Sequence, residues 1–190
     1  MTEPDMDVRG AAPLETLLRD AWQRLCRGVT DRRAPARHPV LATQAMGGGG
    51  EARTVVLRAA SPSAGRVEIH TDALSAKVCE LEAEPRATLL VWDDKARLQI
   101  RLRVTARLVH ADAEAWARVP QAARGAYGGD PPPGRPIAAP EAHAPGAARE
   151  RFTRLVCTID EIELLHLGAE RHRRAVYRRA DGWAGALRAP

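Results

Sequence analysis

Aromatic residues are scarce: four Trp, two Tyr and one Phe in 190 residues. A core in this chain has to be filled by Leu, Val, Ile and Ala. Cysteine is scarce as well. Cys26, Cys79 and Cys157 are odd in number and far apart, with no C-x-x-C pair, which argues against a disulfide framework and a structural zinc and suits a reducing cytoplasm. No apolar run approaches the length of a membrane span. Met1–Pro13 is polar and acidic, unlike a secretory leader. A cytoplasmic chain of one domain is expected, large enough to bury a core without staples.

Negative charge is the minority sign. Formal charge is +5, and Arg greatly outnumbers Lys. Such a balance suits an anionic ligand or nucleic acid, or an arginine-rich composition in which most guanidinium groups decorate solvated faces; the second reading is preferred for most of them. A basic barrel binding nucleic acid through Arg101, Arg103 and Arg171–Arg174 would need interleaved aromatics as stacking platforms, and none lies inside those clusters.

The spacing of Leu14, Leu17, Leu18, Trp22 and Leu25 predicts an amphipathic helix over Leu14–Val29, with Pro13 before it and Gly28 near its end. Residues 1–13 are expected to be a flexible terminus, and 14–190 one domain. Pro39–Ala45 and Arg53–Ala60 read as strands around Gly47–Gly50. That Gly run lacks the Lys-Ser/Thr of a phosphate loop, so a hairpin tip is the better use. Arg66–His70 is the next strand, and Ala73–Glu84 a short helix stopped by Pro85. Ala87–Trp92 and Leu98–His110 form a hairpin, the latter alternating Leu98, Ile100, Leu102 and Val104 with Gln99, Arg101, Arg103 and Thr105. Asp112–Val119 reads as a capped helix. Residues 128–148 hold six of the fourteen prolines and form a loop or ordered excursion. Phe152–Leu167 is a long strand or strand pair, and Arg173–Arg179 with Trp183–Leu187 a hairpin across Asp181-Gly182. A helix followed mainly by antiparallel strands points to a closed or nearly closed barrel.

Arg53, Thr71, Ser75 and Lys77 are the candidate chemistry. Two cations and two hydroxyls could surround a phosphate with charge-assisted bonds, and Ser75–Lys77 opens a predicted helix whose free amides favour anions. No G-x-S-x-G, paired strand-end carboxylates or H-x-x-x-H competes with them. Asp93-Asp94 reads as a solvated turn, and Glu161 and Glu163 as partners of nearby Arg.

These segments, R-T-V-V-L-R at Arg53–Arg58, His70-Thr71, Ser75-Ala76-Lys77, Gln99 and H-R-R-A-V-Y at His172–Tyr177, resemble the pyridoxamine 5'-phosphate oxidase-like, FMN-binding split-barrel family. The likeness covers roughly residues 35–110 and 150–190. It implies a mainly β fold with flanking helices, a six-stranded antiparallel split barrel, and a homodimer with FMN at the subunit interface. It further implies that Arg53, Thr54, Val55, Val56, His70, Thr71, Ser75, Lys77, Gln99 and Arg174 bind FMN and that Arg58 and His172 contact substrate, with no metal. The implied activity is hydride transfer between FMN and a small molecule, pyridoxamine or pyridoxine 5'-phosphate being the family's candidate. A flavin reductase, a deazaflavin-dependent enzyme or a non-catalytic flavin-binding protein is the alternative on the same fold. Three departures stand out. Ala76 replaces an Arg, Leu165 stands where an aromatic covers the flavin, and the Pro-rich Asp130–Pro136 occupies the region of an expected Gln-Ser pair.

Overall fold

The computed structural model describes residues 8–190. Its first element, α1, spans Val8–Thr30. The helix therefore starts earlier than Leu14 and carries Pro13 inside it; one forfeited backbone bond does not end a helix of 23 residues. Residues 8–13, expected to be a flexible terminus, are helical, and residues 1–7 of that expectation lie outside the described residues. Gly28 lies near the end of the helix, as expected. There α1 crosses the chain so closely that a Cβ would come within 2.6 Å of the Ala36 carbonyl carbon.

Four strands follow, β1 (Val40–Gln44), β2 (Gly50–Thr54), β3 (Leu57–Ser61) and β4 (Arg66–Asp72), then the short helix α2 (Ala76–Ala83). The glycines between β1 and β2 form the expected hairpin tip, Gly48 and Gly49 having φ of +89° and +84°. The β5 (Arg86–Asp93) and β6 (Leu98–His110) hairpin leads to α3 (Ala113–Arg118) and α4 (Gln121–Arg124). Two-residue strands β7 (Ala126–Tyr127) and β8 (Gly146–Ala147) bracket the proline-rich excursion. The chain closes with β9 (Phe152–Leu167), β10 (His172–Arg178) and β11 (Gly185–Arg188).

The strand predicted as one run over Arg53–Ala60 is broken between Thr54 and Leu57. Its first arm, β2, pairs with β1, and its second, β3, pairs with β4. Counting the two arms as one bent strand, antiparallel neighbours run β1, β2/β3, β4, β9, β6, β5 and back to β1. That circuit has six members and is split at the bend, which is how a barrel can curl without one continuous ladder. β10 and β11 extend the sheet from the C-terminal half of β9.

Alternation settles which side chains face inward. Leu98, Ile100, Leu102 and Val104 are buried, as their period-2 pattern predicts, and register sets them against Leu89 and Val91 of β5 and Ile162 and Leu164 of β9. Ala21 and Leu25 of α1 join this core, and Tyr177 is tied to the helix by a 2.7 Å bond from its hydroxyl to the Leu14 carbonyl. Three of the seven aromatics lie elsewhere. Trp116, Tyr127 and Phe152 meet in a second cluster with ring centroids 5.2 to 6.0 Å apart, at the base of the excursion. Among the described residues no helix is long and apolar enough to cross a membrane.

Candidate functional site

Thr71 shares the inward parity of Val67 and Ile69 on β4, and Arg53 lies opposite inward-facing Leu41 in the β1–β2 register. Both reach the barrel end that α2 covers. There Lys77 Nζ donates to Thr71 Oγ1 at 3.2 Å, Thr71 and Ser75 hydroxyls are 3.0 Å apart, and Ser75 Oγ donates to the Asp72 carbonyl at 2.8 Å. Arg53 donates to Glu80 at 2.8 Å and also to Thr43, whose hydroxyl donates to the same carboxylate at 2.6 Å. The structure thus brings together Arg53, Thr71, Ser75 and Lys77.

Electrostatically the cluster is short of negative charge. Burial, and then the neighbouring Arg53 guanidinium, push the Lys77 ammonium below its ordinary range, against the opposing pull of Glu80 and Asp72. Lys77 has no carboxylate ion-pair partner among the described residues. Because Ser75 has turned its hydroxyl to the Asp72 carbonyl, no side chain caps α2; the Val78 amide bonds back to the Ser75 carbonyl at 2.9 Å, and an anion at this end would meet the positive end of the helix. The helix begins at Ala76 rather than Ala73 because the Asp72 carboxylate takes the Leu74 amide at 2.8 Å and bends the chain first. A phosphate monoester suits these donors in charge and in hydrogen-bonding capacity.

Other sequence-derived candidates sit elsewhere. Thr54 is exposed, Val55 is buried in the barrel wall and Val56 is half-buried at the bend. His70, one residue from Thr71, necessarily faces the opposite side of β4. Its Nε2 meets Glu68 at 2.7 Å and its ring stands edge-on to Phe152 at 4.8 Å. Arg154 clamps the same Glu68 at 2.9 and 2.6 Å and also binds Asp112. Burial alone would raise the Glu68 carboxyl, but hydrogen bonds from His70 and Arg154 outweigh it and hold it at about 2. This network floors a cavity of about 360 Å³ that Arg58, Arg118 and Tyr127 also line. The Arg58 Nε is buried there without a partner.

Gln99 and Arg174 form a third group. Register sets both beside Leu165, on the outward face of β6, β9 and β10. Glu163 links Arg174 at 3.0 Å to Arg101 at 2.6 Å, as expected of a carboxylate on that strand. The Nε atoms of both arginines are buried and unpartnered. His172 is exposed at the start of β10. Among the described residues no hydrogen bond joins the Arg53–Thr71–Ser75–Lys77 cluster to Gln99, Arg174 or His172. Sequence reasoning missed Thr43, Asp72 and Glu80. Glu80 had a readable signal, lying three residues after Lys77 on the same helix.

The fold is a split barrel that gathers two cations and two hydroxyls at the end covered by α2. Residues 15–110, just over half of the chain, match the family model described as pyridoxamine 5'-phosphate oxidase, FMN-binding domain, and the chain belongs to that family. No curated protein matches the sequence. Among solved structures, a pyridoxamine 5'-phosphate oxidase-related, FMN-binding protein from Nostoc punctiforme is 24% identical, with a TM-score of 0.73 over 90% of this chain and 95% of that one. PhzG from Burkholderia lata, in complex with tetrahydrophenazine-1-carboxylic acid, is 20% identical with a TM-score of 0.68 over 100% and 98%. A Clostridium acetobutylicum protein related to general stress protein 26 is 12% identical with a TM-score of 0.57 over 88% and 97%. At these identities the structures establish a shared fold.

Proposed function

We propose that this chain is an FMN-dependent oxidoreductase acting on a small molecule. The observation that carries the reading is the Arg53–Thr71–Ser75–Lys77 cluster. It holds two cations close enough to repel, beside uncapped helix amides, and a phosphate dianion would relieve that repulsion. Arg53, Ser75 and Lys77 would hold the FMN phosphate, with Thr71 orienting Lys77. Bound FMN would supply hydride acceptance from substrate and the return of electrons to an acceptor.

The segments Arg53–Arg58 and His70–Ser75 both run from the phosphate cluster toward the cavity lined by Arg58, so that cavity is the natural place for substrate. The arginines that line it, Arg58 and Arg118, favour a substrate carrying an anionic group, as pyridoxamine 5'-phosphate does. Gln99 and Arg174 lie apart from the phosphate cluster, which supports a homodimer in which one chain contributes the phosphate anchors and the other the Gln99 amide, Arg174 and His172. Gln99 would meet the polar edge of the ring, and Arg174 would favour the charge that gathers there on reduction.

The test is the visible absorption spectrum of freshly purified protein, with mass analysis of any chromophore released by heat. Two flavin bands and released FMN are expected. A colourless protein that also fails to take up added FMN would overturn the assignment; a released deazaflavin would replace the cofactor while keeping the anchors.

A further inference from the structure

Asp72 joins two parts of the molecule that the sequence keeps far apart. It is 4% exposed, and both carboxylate oxygens are occupied. Oδ1 accepts from the Leu74 amide at 2.8 Å and from Arg151 Nε and Nη2 at 2.9 and 2.7 Å; Oδ2 accepts from the Gly128 amide at 2.7 Å. Its backbone carbonyl accepts the Ser75 amide at 3.1 Å and the Ser75 hydroxyl at 2.8 Å. Gly128 opens the proline-rich excursion, and Arg151 follows its end. Between them the neck is closed by paired bonds of Asp130 and Ala144, 2.9 and 2.8 Å, and by the β7–β8 pairing. One buried carboxylate thus holds both ends of the excursion while shaping the Thr71–Ser75 turn.

We propose that Asp72 is a positioning residue of the phosphate cradle, and that through it the neck of the 128–148 excursion and cofactor retention stabilise each other. The inference rests on the FMN reading above. The geometric part is the turn: the Oδ1 bond to Leu74 acts with the bonds from Ser75 to the Asp72 carbonyl to fix where Ser75 presents its hydroxyl and where α2 begins. The electrostatic part concerns Lys77. The charged groups facing it are Arg53 from β2, Glu80 from α2 and Asp72 from the turn, with Arg151 behind Asp72. Removing the Asp72 charge leaves Glu80 alone to oppose burial and Arg53, so Lys77 loses its proton at lower pH. The coupling is reciprocal, because a ligand that favours the ordered turn also favours the neck bonded to it.

The experiment measures FMN affinity by fluorescence quenching, from neutral to alkaline pH, for wild type, Asp72→Asn, Arg151→Met and Arg151→Lys. Amide hydrogen exchange at Gly128 and Ala144 is followed with and without FMN. We expect Asp72→Asn to bind about tenfold more weakly or worse, by loss of charge-assisted bonds, and to lose affinity at lower pH than wild type. Arg151→Met, which removes no phosphate contact, is expected to weaken FMN too, and Arg151→Lys to recover part of the loss. FMN should slow exchange at the neck of wild type. A merely structural role would lower stability without moving the pH at which affinity is lost.

Wild-type affinity and pH profile in Asp72→Asn, or neck exchange indifferent to FMN, would overturn the proposal. Should Asp72→Asn fail to fold, the Arg151 variants and the wild-type exchange still decide. A wild type that takes up no FMN defeats the cofactor reading and this inference together; a binding wild type with an indifferent Asp72→Asn defeats the inference alone.

Discussion

Glu80 accepts from Arg53 at 2.8 Å with only 5% of its side chain exposed, so a cation of the proposed phosphate cradle is itself anchored by a buried anion. Removing Arg53 strands that carboxylate. Arg53→Ala should therefore lower the stability of the apo protein by about 3 kcal/mol, the usual cost of breaking a buried pair, besides weakening FMN. Urea unfolding of the apo form checks this; an unchanged midpoint would show that Glu80 is satisfied without Arg53. The cradle sequence alone leads one to expect mainly a loss of cofactor here, and the pairing with Glu80 is what changes that.

Lys77→Ala should separate the two effects. Lys77 is pushed toward neutrality by burial and by Arg53, so its loss relieves the apo protein while costing one charge-assisted bond to phosphate. FMN affinity should fall about 10- to 100-fold with the apo melting temperature unchanged or raised. Equal flavin content in wild type and variant would remove Lys77 from the anchor.

Glu68 governs an acid limb of stability. Its carboxyl is held at about 2 in the folded chain against an ordinary 4.5, so its stabilisation is present above about pH 4.5 and is lost as pH falls toward 2. The contribution is on the order of 3 kcal/mol at most. Glu68→Gln should be less stable at neutral pH and show a flatter stability profile across that window. Equal slopes for both proteins by acid denaturation would contradict the network with His70 and Arg154.

Thiol labelling reports the fold directly. Cys79 is exposed and should react in the native state, whereas Cys157 is buried and its thiol is pushed by that burial up to about 12. Cys157 should label only at the rate of global unfolding. Fast labelling of Cys157 in buffer would mean that the strand carrying it opens locally.

Arg174→Ala should leave FMN bound through its phosphate but lower the midpoint potential of the bound flavin, since it removes a positive charge from the proposed ring edge. Spectroelectrochemistry checks this, and an unchanged potential would reassign Arg174 to its partner Glu163 alone.

The barrel was legible because period-2 burial is written plainly in Leu98–Val104 and because the R-T-V-V-L-R, T-D-A-L-S-A-K and H-R-R-A-V-Y segments resemble a known family. The start of α1 was not, since a proline suggests a boundary that a long helix can override. The bend dividing Arg53–Ala60 was hidden because Thr54–Val56 carries no glycine or proline to announce it. Of the site, the four phosphate candidates were readable as residue types, but their carboxylate supports were not. Thr43 is ordinary in sequence and becomes informative only when register brings it to Arg53, and Glu80, although spaced to meet Lys77, gives no sign in sequence of its pairing with Arg53. His70 adjoins Thr71 in sequence, yet adjacent strand residues face opposite ways, so the two meet different neighbours.

β9 carries a consequence for how the chain is made. Its N-terminal half is hydrogen-bonded between β4 and β6 and its C-terminal half between β6 and β10. A nascent chain emerging from the ribosome holds β1 to β6 well before β9 arrives, and until then β4 and β6 each present an unsatisfied edge. Closure must wait until β9 has been made, which delays folding and leaves β-edges open to neighbouring chains in the meantime. Yield in a cell should accordingly depend more on translation rate and chaperone supply than on the stability of the finished barrel.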